Sequence, residues 1–394
     1  MTEYYKDRSQ ETPKAGDVYV GRVVNVLQGM QAAFVHIGQE KNAFLYIDDL
    51  LPAHLEKQPK LKPQINELVQ AGHNVIVQMT KEPIGDKGAR VTTHYSIPGR
   101  WIVYMPNADY VGVSRKIESD SERSRLKDIA DGIREPGEGV IIRTVAAGSS
   151  LTELQRDLQE LRDLWASVMA RSRNAPAPSR IFTDLSLIPR LVRDIVSEKI
   201  DEIIVDSPQM RGEIAAILGE VSPGMAVKVR LHTEQRRVFE QYGIDKQLGR
   251  SLQRKKIWLP SGGHLIVDLT EALTVIDINT GKFTGSVDLE QTVFETNCEA
   301  AVEIARLLRL RDVGGIIIID FIDMELEEHR HRVLQTLSEE LKKDRTKSTV
   351  IGWTKLGLVE MTRKKVRDTS DELAEPPCPA CSGTGKAQQR DIRY

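Results

Sequence analysis

Residues 314–325 read GGIIIIDFIDME. Four consecutive isoleucines form a short apolar run that reads as a buried strand, and the run ends at Asp320, with Asp323 three residues on. A carboxylate at the end of a buried strand is costly unless its charge finds a partner. Upstream, TVIDIN (274–279) closes a second apolar run on Asp277. Between the two runs, Leu289, Val293, Ala300, Ile304 and Leu308 fall on one stripe of a helix from about Asp288 to Arg309. Strand, helix and strand in that order predict a parallel pair with a right-handed crossover. Further out, HLIVDL and ALTVIDIN are separated by a tight turn at Thr270–Glu271 and read as a hairpin, and a helix is predicted over roughly 327–343.

If the two aspartate-ended strands are neighbours, their side chains meet at the carboxyl edge of an open α/β sheet, where ligand crevices form. Strand alternation puts Asn279 on the face of Asp277. Two carboxylates and an amide oxygen make a hard-oxygen site suited to Mg²⁺, which takes one or two carboxylates and leaves room for water and phosphate. Such an ion activates water against a phosphodiester. The spacing alone fits equally well with Asp277 and Asp320 as ordinary strand-end residues. Asp323 reads as a cap on the next helix.

Composition bounds the rest. The chain has 394 residues, 40% hydrophobic, enough for two or three domains. A net charge of −2 gives no general electrostatic case for a nucleic-acid partner, so any such case has to come from local clusters. No stretch approaches the roughly 18 apolar residues of a membrane span. Three cysteines, Cys298, Cys378 and Cys381, are too few for a disulfide framework and favour a reducing, cytoplasmic setting.

Residues 16–95 hold short β-rich runs with Gly and Asp punctuation, the pattern of a small barrel or sandwich. Phe34 and Phe44 lie in two of these runs and Lys87 in GDKGAR. An OB-type barrel uses such aromatics to stack bases and such lysines to follow phosphates, although either phenylalanine also reads as core. A second unit follows, with strands at RWIVYM and GVIIRT, a polar helix near 121–133 and a helix from about Ser150 to Arg171. Arg143 ends its strand ahead of a helix start, a placement competent to grip phosphate. Residues 181–260 read as α/β.

Near the end, PPCPACSGTGK (376–386) is a Cys-x-x-Cys knuckle. Its two thiolates suit zinc better than redox chemistry, because the knuckle lies between prolines and SGTG instead of opening a helix. A structural zinc needs four ligands, so either histidines or a second copy of the chain completes the site.

Taken together, LPSGGHLIVDLTEALTVIDIN, EIARLLRLRDVGGIIIIDFIDM and the cysteine knuckle resemble the ribonuclease E/G family of bacterial endoribonucleases, and the likeness runs over almost the whole chain. The resemblance implies a multi-domain α/β and β architecture. Its parts would be a remnant of an RNase H-like subdomain (1–15), an OB-fold RNA-binding domain (16–95) and a 5′-sensor domain (96–180). An RNase H-like subdomain (181–252), a DNase I-like catalytic subdomain (253–375) and a zinc link with tail (376–394) would follow. By matching motifs, Asp277 and Asp320 would hold a catalytic Mg²⁺ with Asn279 beside them. Arg143 and Thr144 would grip a 5′-monophosphate in a pocket shared with Gly99 and Val103. Phe34, Phe44 and Lys87 would touch single-stranded RNA near the cut, and Cys378 and Cys381 would bind a structural Zn²⁺ shared by a homodimer.

Two departures accompany the likeness. Only about 15 residues precede the barrel, where the family places strands of its RNase H-like subdomain, and the sequence stops soon after the knuckle, so the family's small C-terminal domain is not expected. The expected form is therefore a compact, ribonuclease G-like dimer. The implied activity is Mg²⁺-dependent, single-strand-specific cleavage to 5′-phosphate and 3′-hydroxyl ends, stimulated by a 5′-monophosphate, in RNA processing and decay. An RNA-binding module with an inactive nuclease half and a metal-dependent DNA nuclease are the competing readings.

Overall fold

The computed structural model describes residues 1–5, 13–51, 63–83, 87–196, 200–221, 228–252, 255–270, 272–281 and 288–365. The chain divides into two compact units, Asp7–Thr233 and Met1–Lys6 with Glu234–Tyr394. Cys378 and Cys381 lie outside the described residues.

The first unit opens with strands β1 (Val18–Leu27), β2 (Ala32–His36), β3 (Ala43–Tyr46), β4 (Asn74–Lys81) and β5 (Arg90–Thr92). They hydrogen-bond in the order β1-β2-β3-β5-β4, and a further β1–β4 pairing closes the ring into a five-stranded barrel. Closure leaves these strands without a free edge, and the inward residues Val23, Val35, Leu45, Val77 and Val91 fill the interior. This is a closed barrel consistent with an OB fold.

A four-stranded sheet follows in the order β6-β7-β9-β8, from β6 (Ile97–Pro98), β7 (Ile102–Met105), β8 (Tyr110–Val113) and β9 (Gly139–Ile142). Helix α1 (Asp120–Ile133) begins at Ser119, whose side chain accepts from the Glu122 N–H. Helix α2 (Leu151–Asn174) begins with a capping box between Ser150 and Glu153. Leu126, Ala130, Leu154 and Leu158 of these helices meet Ile102, Val140 and Ile142 of the sheet in one core. Strand β10 (Ser179–Phe182) returns to pair with β1. The unit ends with α3 (Leu187–Asp194), β11 (Ile203–Val205), α4 (Pro208–Val221) and β12 (Val229–Leu231), β11 and β12 being parallel.

The second unit contains helix α5 (Ile244–Leu252) and a six-stranded mixed sheet. Its strands are β13 (Lys256–Trp258), β14 (His264–Leu269), β15 (Leu273–Asn279), β16 (Gly315–Asp320), β17 (Ser348–Trp353) and β18 (Val359–Arg363), ordered β13-β14-β15-β16-β18-β17. β14 and β15 form an antiparallel hairpin, and β15 and β16 run parallel. Helix α6 (Leu289–Leu310) makes the crossover between them, and α7 (Glu327–Leu341) follows β16. Ala300, Ile304 and Leu308 of α6 and Val333 and Leu337 of α7 pack on Ile276, Ile278, Ile317, Ile319, Val359 and Met361.

The isoleucine run is half buried, not fully buried as its composition predicts. Ile317 and Ile319 are sealed under the helices, whereas Ile316 is 50% exposed on the opposite face. The reason is topological. Every strand pairing in this sheet except β15–β16 is antiparallel, and among the described residues the helices lie on one face only, so the run alternates like an antiparallel strand. The end of this sheet away from Asp320 is fastened by Arg363, which is 3% exposed and donates to Asp344 and Asp312, both at 2.8 Å, and to the Val313 carbonyl at 2.9 Å.

Candidate active site

The parallel register of β15 and β16 pairs Leu273 with Ile316 and, at the far end, Asp277 directly with Asp320. Cross-strand partners share a face, so both carboxylates project together from the uncovered side of the sheet at its carboxyl edge. Asn279 lies two residues beyond Asp277 on the same face, and its Nδ2 donates to Asp277 Oδ2 at 2.8 Å. Among the described residues no lysine or arginine pairs with Asp277 or Asp320. Partial burial pushes the Asp320 carboxyl above its ordinary range, and the negative charges of Asp277 and then Asp323 push it further. Among the described residues no three His, Cys, Asp or Glu side chains close into a metal cage.

Asp323 does not cap the following helix. The α7 N-cap is Leu326, which offers no side-chain acceptor, and Glu290 near the start of α6 supplies one instead. Its carboxylate accepts from the Glu325 N–H at 3.0 Å, the Leu326 N–H at 3.2 Å and His329 Nδ1 at 2.7 Å. Those bonds hold its pKa down. Asn297, fully buried in α6, donates to the Ile322 carbonyl and accepts from the Ile322 N–H. Sequence reasoning misses both Glu290 and Asn297. Asn297 does carry a signal there: it is a polar residue four after Val293 and three before Ala300, inside the apolar stripe.

On the other side of Asp277 the same face carries His264, the cross-strand partner of Asn279, and Trp258, the partner of His264. Burial and the nearby Lys256 hold the His264 imidazole below its usual pKa, against the pull of Asp277.

In the first unit the predicted phosphate-binding residues occupy one neighbourhood. Arg143 follows β9, and its N–H donates to the Trp101 carbonyl at 2.8 Å. Its guanidinium donates to the Gly99 carbonyl at 2.5 Å and to Asp194 Oδ1 at 2.6 Å, so a carboxylate already sits at the fork. Arg143 leads into a single 3₁₀ turn, Thr144–Ala146, and the α-helix begins only at Leu151. Thr144 Oγ1 lies 2.7 Å from Ser114 Oγ. Val103 is on β7, paired with Ile141 and Pro98. Gly99 has a local reason to be glycine, since a Cβ there would lie 2.6 Å from the Asp157 carboxylate. Asp157 is buried and accepts the backbone N–H groups of Arg100, Trp101 and Ile102 at 3.1, 2.9 and 2.9 Å.

In the barrel, Phe34 and Phe44 are direct partners across β2 and β3, with ring centroids 5.9 Å apart in an edge-on arrangement. Both are half buried, and Lys87 is exposed shortly before β5. Cys298 is half buried on α6, with its thiol pushed up by burial.

The closed barrel and the mixed sheet with its acidic carboxyl edge are carried in one chain. The chain belongs to the ribonuclease E/G family, whose model matches residues 96–366. It is 44% identical to ribonuclease G of Haemophilus influenzae over 395 residues, spanning 98% of this chain and 80% of that relative. It is 43% identical to ribonuclease G of Escherichia coli strain K12 over 390 residues, with the same shares. Ribonuclease E of Nostoc sp. is 39% identical over 374 residues, 94% of this chain and 54% of that protein.

The crowding of negative charge at Asp320 has a measurable consequence. A carboxyl whose folded pKa lies above its unfolded value is a liability at neutral pH, and the liability fades as pH falls through the raised pKa. In chelator-treated protein, Asp320→Asn is expected to raise the thermal midpoint at pH 7.5. The gap from wild type should close as the pH is lowered. A thermal melt that shows Asp320→Asn less stable than wild type at pH 7.5 contradicts the charge-crowding account.

Proposed function

We propose that the chain is a divalent-cation-dependent endoribonuclease acting on single-stranded RNA in RNA processing and decay, with Asp277, Asp320 and Asn279 as its catalytic group. The observation that carries this reading is the in-register pairing of Asp277 with Asp320 in a chain of the ribonuclease E/G family. The donor set suits magnesium, because two facing carboxylates without a basic partner among the described residues form an open oxygen site. When bound there, such an ion polarises a phosphoryl oxygen and lowers the pKa of a water. Asn279 steadies Asp277 through its amide, and the loop pinned by Asn297 and Glu290 fixes Asp320 from the other side.

In the hydrolysis, the oxygen of water bonds to phosphorus and the bond from phosphorus to the 3′ oxygen breaks. Water gives up one proton and the leaving 3′ oxygen takes one, which leaves a 5′-phosphate and a 3′-hydroxyl. In a cleavage assay on a single-stranded oligoribonucleotide, Asp277→Asn and Asp320→Asn are each expected to lower the rate at least about 100-fold, in the range typical of losing a positioned catalytic group. Omission of Mg²⁺ should abolish cutting. Wild-type rates in either variant would refute the assignment, and equal cutting of DNA of the same sequence would favour a DNA nuclease. Binding of RNA without cleavage under any divalent ion would favour the binding-module reading.

The Arg143 neighbourhood, with Gly99, Val103 and Thr144, is the proposed receptor for a 5′-monophosphate. A phosphate there would compete with Asp194 for the guanidinium. Arg143→Ala is expected to erase any preference for 5′-monophosphorylated over 5′-hydroxyl substrate while basal cleavage persists. Equal loss on both substrates would show that Arg143 serves folding instead. Phe34, Phe44 and Lys87 are proposed to contact the RNA strand, one by its cation and two by their rings.

Cys378 and Cys381 are proposed to share a structural Zn²⁺ with the same pair of a second copy, giving a homodimer. Cys381→Ser should then convert dimer to monomer in light scattering, and an unchanged dimer would rule out the shared site. The setting proposed for the enzyme is the cytoplasm. Among the described residues no helix is long and apolar enough to cross a membrane.

A further inference from the structure

Cross-strand pairing arranges the uncovered face of the second unit into two transverse rows. One runs Lys256, Ile266, Asp277, Asp320, and the next runs Trp258, His264, Asn279. With strands about 4.8 Å apart, Trp258 lies two strands, or about 10 Å, from Asn279 on the same face as the carboxylates. The intervening positions Ile257, Leu265 and Ile278 point the other way, into the core.

Trp258 is 50% exposed although it is the largest side chain on this face. Lys256 Nζ sits 4.5 Å from the centre of its ring, and Lys256 makes no ion pair among the described residues. The His264 ring stands 5.2 Å away, tilted by 54°. His264 Nδ1 is buried and finds no hydrogen-bond partner among the described residues, a polar atom with bonding capacity left over. The backbone at Gly281 passes beneath this pair. A Cβ there would lie 2.5 Å from the Gly262 carbonyl, 3.1 Å from His264 Nδ1 and 3.5 Å from the indole edge, and φ is +60°. The turn after β15 therefore holds the indole against a surface that only glycine leaves open.

We propose that Trp258, with Lys256 and His264 beside it, is a stacking platform for one nucleobase of a single-stranded RNA whose phosphodiester lies at the Asp277–Asp320 edge. The proposal rests on the reading of that edge as the cleavage site. An indole offers a base the broadest stacking surface of any side chain, and a lysine beside it supplies the cation that the adjoining phosphate needs. Charge complementarity selects this occupant. The face pairs an acidic edge, which a cation must bridge to phosphate, with an aromatic flanked by an ammonium that makes no ion pair among the described residues. Stacking accepts any base, so Trp258 positions the strand, and the His264 ring supports the indole from the side.

The test is an abasic scan on the full chain carrying Asp320→Asn. The protein is titrated in anisotropy measurements with a single-stranded oligoribonucleotide and with copies that each lack one base. At one position, or two adjacent ones, removal of the base should weaken binding about ten-fold, within the roughly 5- to 150-fold that base–aromatic stacking spans. Adding Trp258→Ala should weaken binding of the intact strand by about the same factor and make that position insensitive to base removal. Trp258→Phe should restore most of the affinity, and Trp258→Leu, which keeps apolar bulk without a π-face, should not.

Equal abasic losses with and without Trp258, full affinity in Trp258→Leu, or no measurable RNA binding would overturn the proposal. The cleavage rate of Asp320→Asn on its own judges the reading of the carboxylate edge. A failure there is therefore distinguishable from a failure of the stacking platform.

Discussion

The geometry of the second unit depends on one register, the parallel pairing of β15 with β16 that sets Asp277 opposite Asp320. A slip of one residue would turn every side chain of one strand to the other face, burying one aspartate under α6 and exposing a core isoleucine. Ile276, Ile278, Ile317 and Ile319 on the helix side fix that register, since each fully buried side chain contributes about 1.5–3 kcal/mol. The apolar face thus stabilises the arrangement of charge on the polar face. A parallel pair also requires a long crossover, and α6, which supplies it, brings Asn297 and Glu290 to the loop beyond Asp320.

The protein treats its carboxylates in two opposite ways. Asp157 is buried and surrounded by three backbone N–H donors, and Glu138 accepts from Arg162 and Tyr104. Asp344 is likewise answered by the buried Arg363. At Asp320 no comparable partner stands among the described residues, and its neighbours are two more carboxylates. Partial burial and these like charges leave Asp320 without the hydrogen-bonded answer that Asp157, Glu138 and Asp344 each receive.

The sequence carries a good share of this arrangement. Apolar runs ending in aspartate, separated by a helical stripe, are enough to predict two adjacent parallel strands with their acids at one edge. The hairpin before them is legible from its turn. Contacts made by residues of ordinary type escape such reasoning. Glu290 caps α7 from another helix, and no local spacing announces a cap supplied from 35 residues upstream. Asp194 meets Arg143 across an ion pair spanning 51 residues. The isoleucine run misleads for a related reason: burial on both faces is a property of the whole sheet, and four identical residues cannot reveal that helices cover only one side. Trp258 and Lys256 are legible as alternate positions of KIW, yet their relation to Asp277 needs the register of two further strands.

The loop that leaves β16 illustrates how the fold divides a cost. Fixing a flexible residue takes roughly 1–2 kcal/mol of backbone entropy, and the stretch from Phe321 to Leu326 would carry several such terms if it ordered only when substrate arrived. Asn297 clamps Ile322 by both its N–H and its carbonyl, and Glu290 clamps Glu325 and Leu326 by their N–H groups. That ordering is completed during folding and is drawn from the stability of the α6–β16–α7 core. Asp320 and Asp323 are therefore held in place before any ligand arrives, and a ligand bound at that edge would not have to order the loop.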